Sequence, residues 1–339
     1  MKKINFIGAT KYIAVISTLF IFGLIFIWRQ SINRIMKDNG NGHIKIAINI
    51  WPGYSYVFLA QEKGFFKKNG VDVDLVLTKE YSEAQELYKN GDVDGIFEVY
   101  SDTLFHNAEG YPTKVVYVVD YSDAGDVIIG KPDFDISEIK GKRIGIDKIN
   151  RFSHLFALKG LEKLGVEEVD LAFVSVPALY ILNALEEDLI DAGHTWEPIK
   201  SMALERGYKI ILDAGDVPGI ITDVLSFNPN VIEERSKEIQ AIVDSLFNAR
   251  EFLDNNRAEA LKIMALAEDM SIQEMSDGLN GIHQLNWADN LEAMKKTDTT
   301  ESLYGSGNII SRFYSDRGQL PSFPDFDQII YPNFIKNAK

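Results

Sequence analysis

Residues 43–77 read HIKIAINIWPGYSYVFLAQEKGFFKKNGVDVDLVL, and their hydrophobic period changes twice. HIKIAINI (43–50) alternates apolar and polar positions before an apolar end, as a half-buried strand does. SYVFLAQEKGFFKKNG (55–70) reads as a helix of about three turns stopped at a glycine. VDVDLVL (71–77) returns to the two-residue period. Strand, helix and strand in that order predict a βαβ unit and a mainly parallel sheet.

The alternation continues in both directions from there. YSEAQELYKNG (81–91) predicts a helix stopped by Asn-Gly, and VDGIFEVY (93–100), VVYVVDY (115–121) and DVIIG (126–130) predict strands. KPDFDISEIKGK (131–142) is a connector with one short helix. A second set follows: strand RIGID (143–147), helix RFSHLFALKGLEKLG (151–165), strand LAFVSV (171–176) and helix PALYILNALEED (177–188). Strand DAGHTW (191–196), a helix over 198–206 and strand KIILD (209–213) complete it. TDVLSFN (222–228) is one further strand, after which the chain is nearly all helix, with 231–256 the longest candidate. Two α/β lobes joined near 120–126 and 222–228 are expected. Lobe 1 takes 43–122 and 224–339, and the inserted lobe 2 takes 123–223. Such lobes leave a ligand cleft at the carboxyl ends of their strands and close about a hinge.

The chain has 339 residues and no cysteine, which excludes disulfide frameworks, cysteine-ligated metals, thiol catalysis and a lipidated cysteine. Its 35 Lys+Arg against 50 Asp+Glu give a net charge of −15, the wrong sign for sequence-independent nucleic-acid binding. The charge is uneven. Residues 1–42 carry six basic side chains against Asp38 alone, +5, so the remainder carries −20. Within them an uncharged run, Tyr12 to Trp28, would span about 25 Å as a helix, the short end of a bilayer core. The bulky, basic continuation WRQSINRIMKDNGNG lacks a small-x-small cleavage site. An uncleaved membrane anchor over 12–28 is therefore expected, followed by a tether, 37–42.

Candidate ligand contacts sit just after strand ends. Trp51, Gly53 and Tyr54 form an aromatic turn after the first strand, offering a stacking surface. Tyr100 and Ser101 end the third strand. Asn150, Arg151 and Ser153 open a helix whose N-terminus and guanidinium favour an anion. Trp196 and Glu197 end another strand beside a helix-starting proline, and Asp223 sits where the chain returns between lobes. Each has a plainer reading as a cap, a core side chain or a solvated charge. The five histidines (43, 106, 154, 194, 283) have no metal-ligand spacing, and HExxH, GxSxG and P-loop patterns are absent.

The order of these signals resembles the nitrate-, sulfonate- and taurine-type solute-binding proteins of ABC importers. WPGY with LAQEKGFFKKNGVDVDL, then DYSDAGD (120–126), IKGKRIGID (139–147), DAGHTWEP (191–198) and VPGIITDVLSFNPNVIEE (217–234) carry the resemblance over roughly 43–335. It implies a type II periplasmic-binding-protein ("Venus flytrap") fold, α/β and two-lobed, here behind an N-terminal transmembrane helix. It also implies a body facing the periplasm or cell exterior, residues 1–11 in the cytoplasm, and an ABC permease and ATPase as partners. By position it places Trp51, Gly53, Tyr54, Tyr100, Ser101, Ser122, Asn150, Arg151, Ser153, Trp196, Glu197 and Asp223 in the cleft. DKINRFS departs from the family's Gly-Ser or Gly-Thr turn, so the anion site is open to change.

The expected function is capture of a small sulfonate, taurine, nitrate or nitrogen-heterocyclic solute, with no catalysis, metal or cofactor. Two alternatives stay open. One is a thiamine-pyrimidine-synthase-like enzyme of the same superfamily, which the resemblance associates with a lysine-held pyridoxal phosphate and a cysteine-rich iron motif. The other is a membrane-tethered ligand sensor.

Overall fold

The structure, a computed structural model, describes residues 42–320 and 322–338. The anchor expected over 12–28 and nearly all of the tether lie outside the described residues. Among the described residues no helix is long and apolar enough to cross a membrane.

The first sheet is built from β1 (Ile44–Asn49), β2 (Val73–Thr78), β3 (Gly95–Val99) and β4 (Lys114–Ser122), with two strands from later in the chain. The second holds β5 (Val127–Gly130), β6 (Arg143–Ile146), β7 (Ala172–Ser175), β8 (Ala192–Thr195) and β9 (Lys209–Asp213). β10 (Thr222–Phe227) and β11 (Ile282–Gln284) complete the first sheet. The strand orders are β11-β4-β10-β3-β1-β2 and β7-β6-β8-β5-β9. Most neighbours in the alternating runs are parallel, as the sequence predicts: β1 with β2 and β3, β6 with β7 and β8.

The antiparallel strands mark the crossings. β4 leads into β5, and β5 runs against both β8 and β9. β9 leads back into β10, which runs against both β3 and β4. Each sheet thus receives the incoming strand between two others, pointing the other way. β11 is the strand the sequence reading missed, because three residues at an edge give no readable period.

In lobe 1 the crossovers are α1 (Tyr56–Glu62), α2 (Phe65–Lys68), α3 (Tyr81–Lys89) and α4 (Tyr100–Ala108). Lobe 2 has α5 (Phe152–Glu162), α6 (Ile181–Glu186) and α7 (Ile199–Glu205). The returning chain forms α8 (Pro229–Glu234), α9 (Ser236–Asn255), α10 (Arg257–Ala267), α11 (Ile272–Asn280), α12 (Trp287–Ala293), α13 (Leu303–Asp316), α14 (Phe326–Ile329) and α15 (Asn333–Lys336). Two helices expected as single are divided. Gly64 takes φ +71°, open to glycine at little cost, and splits 55–70 into α1 and α2. Arg235, at φ −125°, separates α8 from α9. α11 and α12 start on reciprocal capping boxes, Ser271 with Glu274 and Asn286 with Asp289.

Close packing fixes the register of the first sheet. Gly95 of β3 lies opposite Phe227 of β10, and a Cβ there would sit 2.5 Å from the Phe227 ring. The crossing itself is tied by the loop before β11: the Asp123 and Ala124 amides both donate to the Gly281 carbonyl, at 3.0 and 2.8 Å. Gly95→Ala should lower unfolding stability by about 1–3 kcal/mol through overpacking. Urea denaturation checks this, and an unchanged midpoint contradicts it.

Candidate functional site

The cleft is built from the turn after β1, the ends of β3, β4 and β10, and the facing edge of lobe 2. The chain turns at once after β1, where the Tyr54 amide donates to the Trp51 carbonyl at 2.9 Å. The Ser55 hydroxyl donates to Glu268 Oε1 at 2.5 Å and anchors this turn to the residue after α10. Gly53 is required here, because a Cβ would lie 2.0 Å from Asp120 Oδ2 and 2.4 Å from Trp51 Nε1. That close approach lets the Trp51 indole N–H donate to Asp120 Oδ2 at 3.2 Å. The Tyr54 hydroxyl donates to Asp223 Oδ1. Asp120 on β4 and Asp223 on β10 are direct partners in the strand register.

Lobe 2 closes on this surface with aromatic rings. Trp196 stands edge-on to Trp51 at 6.2 Å, and its indole N–H donates to the Ile50 carbonyl at 3.0 Å. Phe152 meets Tyr81 at 5.0 Å, also edge-on. Asp126, just past the first crossing, pairs with His194 Nε2 at 2.9 Å. The cavity between these groups is lined by Asn49, Trp51, Tyr54, Tyr81, Val99, Asp126, Phe152, Trp196 and Asp223. Its volume is about 10 Å³, close to the room one water needs, so a larger guest requires the rings to part. Five lining residues are aromatic and two are carboxylates; none carries a permanent positive charge.

Burial governs the acids. The Asp120 carboxyl is pushed up to about 7, chiefly by desolvation, against the lowering effect of its bonds to Trp51 and Asp223. Asp223 is raised well above the carboxylate range by burial and then by the charge of Asp120. Burial raises Asp147 to about 6 and raises Glu268 strongly.

At the mouth of the cleft, polar ties join the lobes. Arg151 pairs with Glu109 at 2.6 Å, and the Tyr314 hydroxyl donates to the Arg151 carbonyl at 3.2 Å. Gln319 Nε2 donates to Asn150 Oδ1 at 2.7 Å, and Arg317 pairs with Glu168.

Of the sequence-predicted residues, the fold brings Trp51, Tyr54, Trp196 and Asp223 together on the cavity, with Gly53 behind them. The others go elsewhere. Tyr100 is fully buried toward α13, where its hydroxyl lies 3.0 Å from a Cβ built on Gly307. Ser101 and Ser153 are buried with no hydroxyl partner among the described residues. Ser122 Oγ accepts the Asp126 amide at 3.0 Å and holds the crossing turn. Glu197 is ion-paired with Lys200 at 3.1 Å and accepts the Ser201 amide at 3.0 Å. Asn150 and Arg151 belong to the mouth, and the Arg151 guanidinium stacks 4.7 Å from the Phe105 ring centre.

Residues passed over include Asn49, Tyr81, Val99, Asp120, Asp126 and Phe152. Tyr81 follows the end of β2, so the strand-end rule applied to that strand finds it. Phe152 sits among the polar residues that drew attention instead. Asp120 and Asp126 bracket DYSDAGD, of which only Ser122 was singled out.

The family described as NMT1/THI5 like matches residues 51–260, and the chain belongs to that family. Among curated relatives, it is 29% identical over 158 residues to 4-amino-5-hydroxymethyl-2-methylpyrimidine phosphate synthase THI11 of Saccharomyces cerevisiae, 46% of each chain. The chain thus spans about half the length of such relatives. In fold it is similar to the ligand-binding component of an ABC-type import system from Staphylococcus aureus. There the TM-score is 0.74 at 16% identity, covering 88% of this chain and 99% of that one. The alkanesulfonate-binding protein SsuA of Xanthomonas axonopodis pv. citri gives a TM-score of 0.69 at 16% identity, covering 86% and 99%. The fold is the two-lobed α/β periplasmic-binding-protein fold.

The expectation of no catalytic role is corrected by these relatives, several of which are named as pyrimidine phosphate synthases. The groups associated above with such synthases do not fit the residues present. The chain has no cysteine to hold iron, and among the described residues no lysine lines the cavity to hold pyridoxal phosphate.

The buried acids set the pH dependence. Asp120 keeps its proton up to about pH 7 in the fold but loses it near about pH 4 when unfolded. Between those values the folded state binds more protons, so stability falls as pH rises through the window. Asp147, Asp223 and Glu268 act in the same direction. The melting temperature should fall from about pH 5 to about pH 7.5, and fall less in Asp120→Asn. Equal slopes in thermal melts of the two proteins contradict this.

Proposed function

We propose that this chain is the extracytoplasmic solute-binding component of an ABC importer. Its ligand is a small, flat nitrogen-bearing ring with an exocyclic amine, of the aminopyrimidine class. One observation carries the ligand class: the cavity is lined by five rings and two carboxylates, with no permanent positive charge. Rings stack on a flat guest, and carboxylates accept from its N–H groups with charge-assisted strength. A sulfonate or nitrate would bring its charge into a buried site whose lining holds no compensating cation, a costly arrangement. Arg151, the cation that favoured an anion in sequence, is directed at Glu109. The pyrimidine named in the curated relatives agrees with this ligand class.

In this reading the lobes divide at 122/123 and 223/224, and the cleft opens and closes about those crossings. Closure buries the guest between Trp51 and Tyr54 on one side and Trp196 and Phe152 on the other. The closed form is presented to a permease and its ATPase. Residues 12–28 anchor the body to the outer face of the membrane, with 1–11 in the cytoplasm. A second reading, a synthase acting on the same pyrimidine class, is favoured by the names of the curated relatives.

Isothermal titration of the full chain with 4-amino-5-hydroxymethyl-2-methylpyrimidine, taurine and nitrate tests the proposal. The pyrimidine should bind and the two anions should not. Loss of a hydrogen bond to a charged group, about 1.5–3 kcal/mol, should make Asp223→Asn about 10- to 100-fold weaker. Glu197→Gln, off the cavity, should change affinity by less than about threefold. Binding of an anion alone overturns the ligand class, and a pyrimidine phosphate product detected by mass spectrometry favours the synthase.

A further inference from the structure

We propose that Asp120, which does not line the cavity, is its positioning residue: it shares one proton with Asp223 and thereby couples the orientation of Trp51 to the charge presented to the ligand. The ligand part of this inference rests on the function proposed above; the shared proton does not.

The geometry places the pair with little choice. Asp120 and Asp223 are opposite one another on adjacent antiparallel strands, and both are buried, at 0% and 2% exposure. Each has a single side-chain donor from the same turn, Trp51 for Asp120 and Tyr54 for Asp223. Asp120 Oδ1 accepts from no N–H or hydroxyl among the described residues, which leaves it to the Asp223 carboxyl. Two buried carboxylates this close ionise one at a time, and without a further donor the second ionisation is costly, so they titrate as one unit holding a proton between them.

Among the described residues the surroundings offer no cation paired with either carboxylate. From its own strand, Asp120 is faced by Tyr117, and Asp126 adds a like charge from beyond the strand end. Trp51, Tyr54 and Tyr56 face the pair from the turn after β1 and from α1, and Tyr81 acts from α3. β3 sets Val99 opposite Asp223, beside Glu98, and β11 sets Gln284 opposite Asp120, beside His283. His283 stacks on Tyr121 and lies 3.7 Å from Asp289. Arg250 on α9 acts on Tyr56 and Tyr117 and is paired with Asp254.

The consequence is a proton-linked cleft. With the pair holding its proton, Asp223 presents less negative charge, and Trp51 stays tied to Asp120. A ligand N–H donated to Asp223 favours the fully ionised pair, so the shared proton leaves to solvent. That ionised pair also accepts more strongly from the Trp51 indole, which holds the ring against the guest. Asp120 therefore acts on the ligand only through Trp51 and Asp223.

Two measurements test this, the first without ligand. Tryptophan fluorescence of the full chain, titrated between about pH 5.5 and 8.5, should show a one-proton transition. The transition should vanish in Trp51→Phe and in Asp120→Asn and persist in Trp287→Phe, with circular dichroism confirming that each variant is folded. A flat wild-type titration, or a transition that survives Asp120→Asn, overturns the shared proton.

The second is isothermal titration with 4-amino-5-hydroxymethyl-2-methylpyrimidine in two buffers of unlike ionisation heat. Wild type should release up to about one proton per ligand at about pH 7, and Asp120→Asn none, with binding weakened about tenfold. Pyrimidine binding without proton release overturns the linkage. No pyrimidine binding beside an intact fluorescence transition overturns the ligand class and leaves the shared proton supported.

Discussion

Two aspartates held side by side in a buried strand pair set the terms for the cleft. Asp120 lies near the end of the strand that leaves lobe 1, and Asp223 lies at the start of the strand that returns to it. Their juxtaposition follows from the topology, because an inserted lobe needs one strand out and one strand back. β10 pairs with β4 in the middle of the sheet, and two acidic side chains meet where the crossings meet. The surrounding sequence accommodates this: Gly53 clears the space, Trp51 and Tyr54 supply donors, and Ser55 with Glu268 anchors the turn that carries them.

The aromatic content of the cleft and its acidity answer each other. Rings exclude water, which raises the cost of ionising Asp120 and Asp223, and the same rings would stack on the flat guest proposed above. The site combines low polarity with carboxylate acceptors, a pairing suited to a ring bearing N–H groups. The polar helix start at 150–153 has a different task. Phe152 faces the cavity, while Asn150 and Arg151 just before it reach to lobe 1.

Much of the architecture was legible because its strands and helices follow their periods closely. The two sets of alternating elements, and the strands that lead from one sheet to the other, follow from hydrophobic patterning and turn residues. KIILD (209–213) is a strand at the predicted bounds. The site was legible only in part, since the strand-end rule locates a loop but not the direction of a side chain. Tyr100 and Phe152 both open helices, yet one packs inward beneath α13 and the other faces the cleft. Glu197 could be placed at a strand end, but its pairing with Lys200 one helical turn on depends on a local geometry that spacing does not reveal. Asp120 was hardest to see, because its partner lies 103 positions away and they meet only through strand register.

The ties at the mouth bear on how long a guest stays. Glu109, Tyr314, Arg317 and Gln319 reach lobe 2 away from the crossings in sequence, through Arg151, Glu168 and Asn150. On the crossing side, the Gly281 carbonyl holds the amides of Asp123 and Ala124. Opening of the cleft as proposed would swing about the second set and break the first. In the function proposed, residence time would depend on bonds that never touch the guest, and sequence change at the rim would retune release while leaving recognition intact.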